Sequence, residues 1–417
     1  MHGQTGLTRR DALRMGGTLI GGSALASGTG RAQQSAWTGS RQQGTSHPTH
    51  DAPSGSLTHE WESAGRYKER AVTVADNQIF AIPAGGGAVD ALSLETGEGQ
   101  LVVTTEARTL GGQTFVDDIL YISHDGGVTA FDTTRGEVWW QRSTGLGQPR
   151  HNPLVLDDWV LVPNEQLGVY DAETSEVLFR YDGHGSGPLA ATTDQFFWLD
   201  GRTIRAFSVE DGSQTWARQI QSDVYLTGPK SIAITDGTVI GGINHGVAAF
   251  DVDTGEPRWT HDLGENQGSQ FAVTPGAVYV VRGYDNTVIQ KLNTSSGEVM
   301  WRHRLPPNDG SGPPIVVGTT VLIMNGNTLI AIDSRSGDVR WERILGDQFP
   351  MDPRFDRSPI TVAGDQLFVQ SADGRVHSFR TEFEPLPQTS TGMVLGGLAG
   401  AATVAGVGLL SHLWGGE

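Results

Sequence analysis

Ala249-Phe250-Asp251-Val252-Asp253-Thr254-Gly255-Glu256-Pro257-Arg258-Trp259 is the stretch that decides the fold, because it recurs along the chain. Ala130–Trp140, Lys291–Trp301 and Ala331–Trp341 repeat it closely, and Ala91–Leu101, Val169–Phe179 and Ala206–Trp216 repeat it more loosely, Val169–Phe179 with Ser175 where the others have Gly. Successive starts lie about 37 to 43 residues apart, the period of stacked or radial repeats. Val247, Ala249 and Asp251 alternate with Ala248 and Phe250 in the manner of a strand. Asp251 is placed to accept hydrogen bonds from the amides just ahead and so hold a turn, Gly255 to take the positive φ that follows, and Arg258-Trp259 to open the returning strand. A further hairpin pattern, such as Thr238–Gly242, precedes each copy. About four short strands per unit, without helical periodicity and with one Trp on the last strand, describe a propeller blade.

The last unit lacks its Trp-bearing strand: Val376–Arg380 is followed by none. Leu57-Thr58-His59-Glu60-Trp61-Glu62, at the other end, resembles Val339-Arg340-Trp341-Glu342 and supplies it. Outer strands at Trp61, Leu101, Trp140, Phe179, Trp216, Trp259, Trp301 and Trp341 make eight blades. The expectation is an all-β fold: an eight-bladed β-propeller of four-stranded antiparallel blades, closed by the N-terminal strand, with a C-terminal transmembrane helix. Closure removes the sheet edges that an open array exposes.

Residues 57–382 resemble the PQQ-enzyme-repeat family of quinoprotein-like and BamB-like eight-bladed propellers, whose motif is A-x-D-x-x-T-G-x-x-x-W. The resemblance implies that Trp216, Trp259, Trp301 and Trp341 dock between neighbouring blades, with the small Ala249 and Ala331 leaving room. It is specific for fold and weak for chemistry, since the same blades build dehydrogenases and non-enzymatic scaffolds.

The chain has 417 residues, a net charge of -18, no cysteine, and lysine only at Lys68, Lys230 and Lys291. Such an acidic surface repels phosphate backbones and argues against nucleic acid as a partner. The composition resembles that of halophilic proteins, whose carboxylates keep the surface hydrated. Thr8-Arg9-Arg10-Asp11-Ala12-Leu13-Arg14, followed by an uncharged run, resembles a twin-arginine (Tat) signal peptide over residues 1–32. Residues 33–56 read as a linker or strap, 383–391 as a spacer, 392–414 as a transmembrane anchor and 415–417 as a tail. The anchor carries no charge, is long enough as a helix to cross a bilayer, and has small residues at Gly392, Gly396 and Gly400 suited to helix packing in lipid. Together these segments place the propeller outside the cell, on the membrane.

The T-G-E turns, between third and fourth strands, repeat from blade to blade and define one rim. The loops between second and third strands, and the links between blades, occupy the opposite rim and vary, and variable loops on a rigid frame are where function concentrates. That rim carries the candidate residues His124, Asp125, His151, Asn152, His184, Lys230, Asn244, His245 and Arg354. Asn, Asp and Gly there are also ordinary turn formers, and the histidine spacing matches no metal motif. Two functions follow: a non-enzymatic surface module that binds protein, peptide or glycan at the variable rim, or a small PQQ-dependent dehydrogenase oxidising alcohols or sugars with PQQ and Ca²⁺ in the central funnel. The absence of the adjacent cysteines and roofing loops of quinoprotein alcohol dehydrogenases favours the first.

Overall fold

The structure, a computed structural model, describes residues 46–47, 52–67, 72–75, 77–105, 110–125, 127–143, 145, 151–164, 166–183, 187–220, 231–243, 246–264, 270–282, 287–307, 310–345 and 359–384. These form eight antiparallel sheets, one of which gains a fifth strand. Blade 1 spans residues 73–104, blade 2 110–143, blade 3 154–181, blade 4 189–219, blade 5 232–262, blade 6 270–304 and blade 7 315–344. Blade 8 joins residues 360–384 to the strand Ala52–Glu62. The expected closure is present: His59 lies opposite Phe379 and Trp61 opposite Ser378. The N-terminal strand starts upstream of Leu57, and Ser46–His47 pairs in parallel with Val316 and Val317 on the innermost strand of blade 7. The proposed signal, residues 1–32, and the proposed helix, residues 392–414, lie outside the described residues.

Packing between blades makes the core. Phe80, Ile82 and Val89 of blade 1 cluster with Leu120, Ile122 and Phe131 of blade 2, and Leu322, Met324 and Leu329 of blade 7 with Leu367, Val369 and Phe379 of blade 8. Trp61 and Phe368 of blade 8 in turn cluster with Ile79 and Leu92 of blade 1. No blade buries both faces without two neighbours, so the ring is the unit of stability.

The repeated motif builds a turn and a clamp. Asp251 Oδ1 accepts from the amides of Asp253 and Thr254 at 3.1 and 2.9 Å, and Arg258 returns to Asp251 Oδ2 at 2.7 Å. This salt bridge, with the turn's hydrogen bonds, holds the Asp251 carboxyl down at about 2. Asp333 and Arg340 repeat the arrangement. Each docking Trp then reaches the turn of the next blade. Trp61 Nε1 donates to Leu94 O at 2.9 Å, Trp140 to Ala172 O at 2.8 Å, Trp216 to Val252 O at 3.0 Å, Trp259 to Thr294 O at 2.7 Å, Trp301 to Ser334 O at 3.1 Å and Trp341 to Pro53 O at 2.9 Å. The accepting carbonyl belongs to the residue after the motif Asp or its equivalent, except at Pro53, on the closing strand. Except in blade 3, where Ser175 takes the place of glycine, the indole lies against the glycine of the same turn: a Cβ on Gly297 would approach Trp259 to 2.6 Å, and one on Gly97 would approach Trp61 to 2.2 Å. The motif glycine is thus needed twice, for its positive φ and for the bare surface on which the ring rests.

Two seams depart from the pattern. Between blades 3 and 4, Phe179 packs on Gly212 and Tyr181 donates its hydroxyl to Gly212 O. Between blades 1 and 2 no aromatic ring docks among the described residues, which corrects the expectation that Leu101 takes the place of Trp. Trp259 stands opposite Ala249 because the outer strand skips Arg258; in blade 1 the skip falls at Val102, so Gln100 stands opposite Ala91 and Leu101 opposite Asp90. Leu101 is 59% exposed. That seam is joined nearer the axis, by Gln113 Nε2 donating to Phe80 O at 2.5 Å and by the stacked rings of Phe80 and Phe115.

Gly297→Ala is expected to cost about 2–4 kcal/mol, combining overpacking with a left-handed alanine. Gly136→Ala carries a similar φ of +70° but its Cβ meets no atom within 4 Å, so it is expected to cost only about 1 kcal/mol. Urea denaturation of the two variants checks the contrast, and equal losses would mean that φ alone, not the indole, selects the glycine.

Candidate functional site

The second strand of each blade runs toward the variable rim. Counting from the residue that pairs with the motif Asp or its equivalent (Ile119 with Asp132, Trp159 with Asp171, Gln195 with Ser208, Thr320 with Asp333), the sixth place holds His124, Asn164, Asp200 and Asn325. The same place in blade 8 is Ser371. These residues face the preceding blade, as do Ile122, Val162 and Trp198 two places earlier, which pack into the clusters shared with that blade. All five are buried. Of these five, sequence reading singles out only His124 and does not see that they share one place in the register; in blades 1, 5 and 6 that place holds Pro83, Ile243 and Arg282.

Most of the five are engaged by the frame. Asn325 Nδ2 donates to Pro306 O at 3.1 Å, and its Oδ1 accepts from Ser311 Oγ at 2.7 Å, tying the incoming link to blade 7. Asp200 pairs with Arg205 at 3.0 Å. His124 Nε2 is 3.0 Å from Thr129 Oγ1, while burial lowers its pKa against the opposing pull of Asp125. Asn164 is fully buried with neither amide atom partnered.

The structure separates the candidate histidines that it describes. Ser123 points toward blade 3, where its Oγ donates to His151 O at 3.0 Å. His124, the next residue on the strand, points toward blade 1. Asn152 lies with His151 on the blade 3 side, where its Oδ1 would be 1.9 Å from a Cβ on Gly112, so only glycine fits beside it. His124 and Asp125 therefore do not share one site with His151 and Asn152. His184, Lys230, Asn244, His245 and Arg354 lie outside the described residues.

Sequence reading missed a polar chain in the closing blade. Ser371 Oγ donates to Asp373 Oδ1 at 2.5 Å and lies 3.0 Å from His377 Nε2. The His377 ring also faces Glu62, Arg375 and His59, whose ring centroid is 5.8 Å away. The order hydroxyl, imidazole, carboxylate resembles a nucleophile with its base, but Ser371 and His377 are both 0% exposed. With no route for a substrate, the group ties the N-terminal strand to the last one. The meeting of this group with Glu62 depends on ring closure.

The described rim residues do not make a calcium cage, which takes six to eight converging oxygens. Asp200 is committed to Arg205 and Asn325 to Pro306 and Ser311, and no group of three or more metal-ligating side chains assembles among the described residues.

The family model described as outer membrane protein assembly factor BamB matches residues 124–246 and 243–382. The BamB of Yersinia pestis is 26% identical over 302 residues, covering 66% of this chain and 72% of that protein. The crystal structure of BamB from Moraxella catarrhalis superposes with a TM-score of 0.61 at 17% identity, over 78% of this chain and 100% of that one. Quinohemoprotein alcohol dehydrogenase from Comamonas testosteroni gives a TM-score of 0.61 at 13% identity, over 88% of this chain and 83% of that one. The two solved structures share the fold.

The imidazole of the closing blade sets a pH dependence. Burial, reinforced by His59, lowers the His377 pKa from 6.5 to about 4. The folded chain then holds fewer protons than the unfolded chain between those values, so stability falls as pH drops through that window and is unaffected above it. The slope from this group is at most about 1.4 kcal/mol per pH unit. His377→Gln, which keeps a polar group near Ser371, is expected to flatten the urea midpoint between pH 7 and pH 5; an unchanged slope would assign the dependence to other groups.

Proposed function

The chain belongs to the family described as outer membrane protein assembly factor BamB, and on that premise we propose that it is a non-enzymatic docking module. It is exported by the Tat route, held on the extracytoplasmic face of the cell membrane by the segment 392–414, and binds a protein or peptide partner at its variable rim. The observation that carries this reading is the use made of the polar residues at that rim. Asn325, Asp200 and Ser371 spend their side chains on the frame, fixing links and loops in place. Rigid presentation lowers the ordering cost of association, which is what a docking surface requires. The description of its relatives as assembly factors agrees with action by contact.

A photo-crosslinking amino acid placed at Asp125 or Arg202, on the variable rim, and at Asp253, on the opposite rim, tests the proposal in intact cells. Discrete protein adducts are expected from the first two positions and not from Asp253. The full-length chain is expected in the membrane fraction, and deletion of residues 392–417 is expected to release it into the medium. Stoichiometric binding of PQQ and Ca²⁺, with dye-linked oxidation of an alcohol or sugar, would overturn the reading in favour of the dehydrogenase.

A further inference from the structure

The ring carries an empty copy of its own clamp. At six seams a Trp donates its indole N–H to a turn carbonyl, and at the seam of blades 3 and 4 Tyr181 does so with its hydroxyl. The seam of blades 1 and 2 has the same receiving turn. Asp132 Oδ1 accepts from the amides of Thr134 and Arg135 at 3.0 Å each, as Asp251 does in blade 5. The Thr133 amide donates to Asp118 O as that of Val252 donates to Gly237 O. Gly136 has a φ of 70°, close to the 67° of Gly255. The turn is built, yet among the described residues nothing rests on it: a Cβ on Gly136 would have no neighbour within 4 Å, whereas one on Gly255 would meet Trp216 at 2.6 Å. Gly136 is exposed, while Gly97, Gly212, Gly255 and Gly337 are buried under their rings.

Arg135 and Glu137, on either side of Gly136, are exposed, and two exposed apolar side chains lie on the outer strands of the two blades. Leu101, 59% exposed, lies on the outer strand of blade 1, and Val138, 44% exposed, on that of blade 2. The outer strand of blade 1, Gly-Gln-Leu-Val-Val-Thr, is also the one outer strand of the eight without a charged side chain. Charges on an edge strand discourage the approach of a second chain; here the strand beside the empty socket has none.

We propose that Gly136 and the Thr133 carbonyl form a docking socket for a tryptophan presented by a partner protein on an extended segment. The other seams state the chemistry of the occupant: a flat ring laid on the glycine, with a polar hydrogen directed at the carbonyl. A segment without strong net negative charge suits the acidic chain. The socket lies on the rim opposite the variable loops, so it stands on ring geometry and is independent of the function proposed above.

The test uses the full-length protein in detergent and a synthetic copy of Glu256–Asp262, the strand that fills the socket of blade 6, with fluorotryptophan at the Trp259 position. Fluorine NMR of the peptide is expected to show saturable binding. Replacing its tryptophan by alanine, and reading anisotropy of an added dye, is expected to weaken binding at least tenfold. Gly136→Asn in the protein keeps a residue tolerant of positive φ but covers the socket, and is expected to weaken it by a similar factor. Gln100→Trp, at the place opposite Ala91, is expected to fill the socket from within, raise the melting temperature and abolish peptide binding. Binding that survives Gly136→Asn, or none by the wild-type protein, would overturn the proposal. So would a wild-type dimer that Gly136→Asn dissociates, since the occupant would then be a second copy. Peptide binding seen only after Trp37→Ala or Trp414→Ala would overturn it in favour of the chain's own ends. Crosslinking from Asp125 is unaffected by Gly136→Asn, so failure here leaves the variable-rim reading standing.

Discussion

An indole resting on a bare glycine, with its N–H directed at the adjacent carbonyl, is the contact on which the ring depends. A four-stranded blade has two apolar faces and cannot bury either alone. Sheet packing brings neighbours together through a non-directional force; the indole adds direction, because one hydrogen bond and one sterically defined seat fix where the next blade stands. Repetition of that contact sets a constant angle between blades, and a constant angle closes a ring.

The rest of the architecture follows from making the same contact wherever the chain permits. Where Ser175 replaces glycine it still adopts a φ of 62°, and Trp140 still reaches Ala172 O. Where the chain starts, Pro53 and Gly55 imitate a turn, so that Trp341 has a carbonyl and a glycine to meet. Arg343 reinforces that junction by donating to Gly55 O at 2.7 Å. The polar groups at the variable end serve the same economy of rigidity, with Asn325 and Ser371 holding loops rather than projecting free.

Much of this was legible because each determinant is local. Asp251, Gly255 and Trp259 announce turn, φ and clamp within eleven residues, and repetition gives the blade count. The N-terminal closure was legible because Trp61 lacks an upstream hairpin and Phe379 lacks a downstream Trp. The register of blade 1 was not legible: Ala91–Leu101 keeps the motif spacing, and moving one bulge from the place before Trp to Val102 leaves no mark in residue order. The candidate site was less legible still. His124 and His151 fall in variable loops and look like neighbours, but alternation along the second strand sends them into different seams. The meeting of the Ser371–His377 pair with Glu62 required knowing that residues 62 and 377 pair, a contact between distant parts of the chain.

That meeting governs when the molecule can be complete. Ala52–Glu62 leaves the ribosome before any strand of blade 1 and finds its hydrogen-bonding partner only when Val376–Glu384 has followed. For nearly the whole of synthesis the opening strand is an unpaired edge, and blades 7 and 1 each wait for the eighth. The polypeptide thus acquires its final form in one late event, after translation of the domain has finished, and any machinery that carries it elsewhere meets either an open arc or a finished ring.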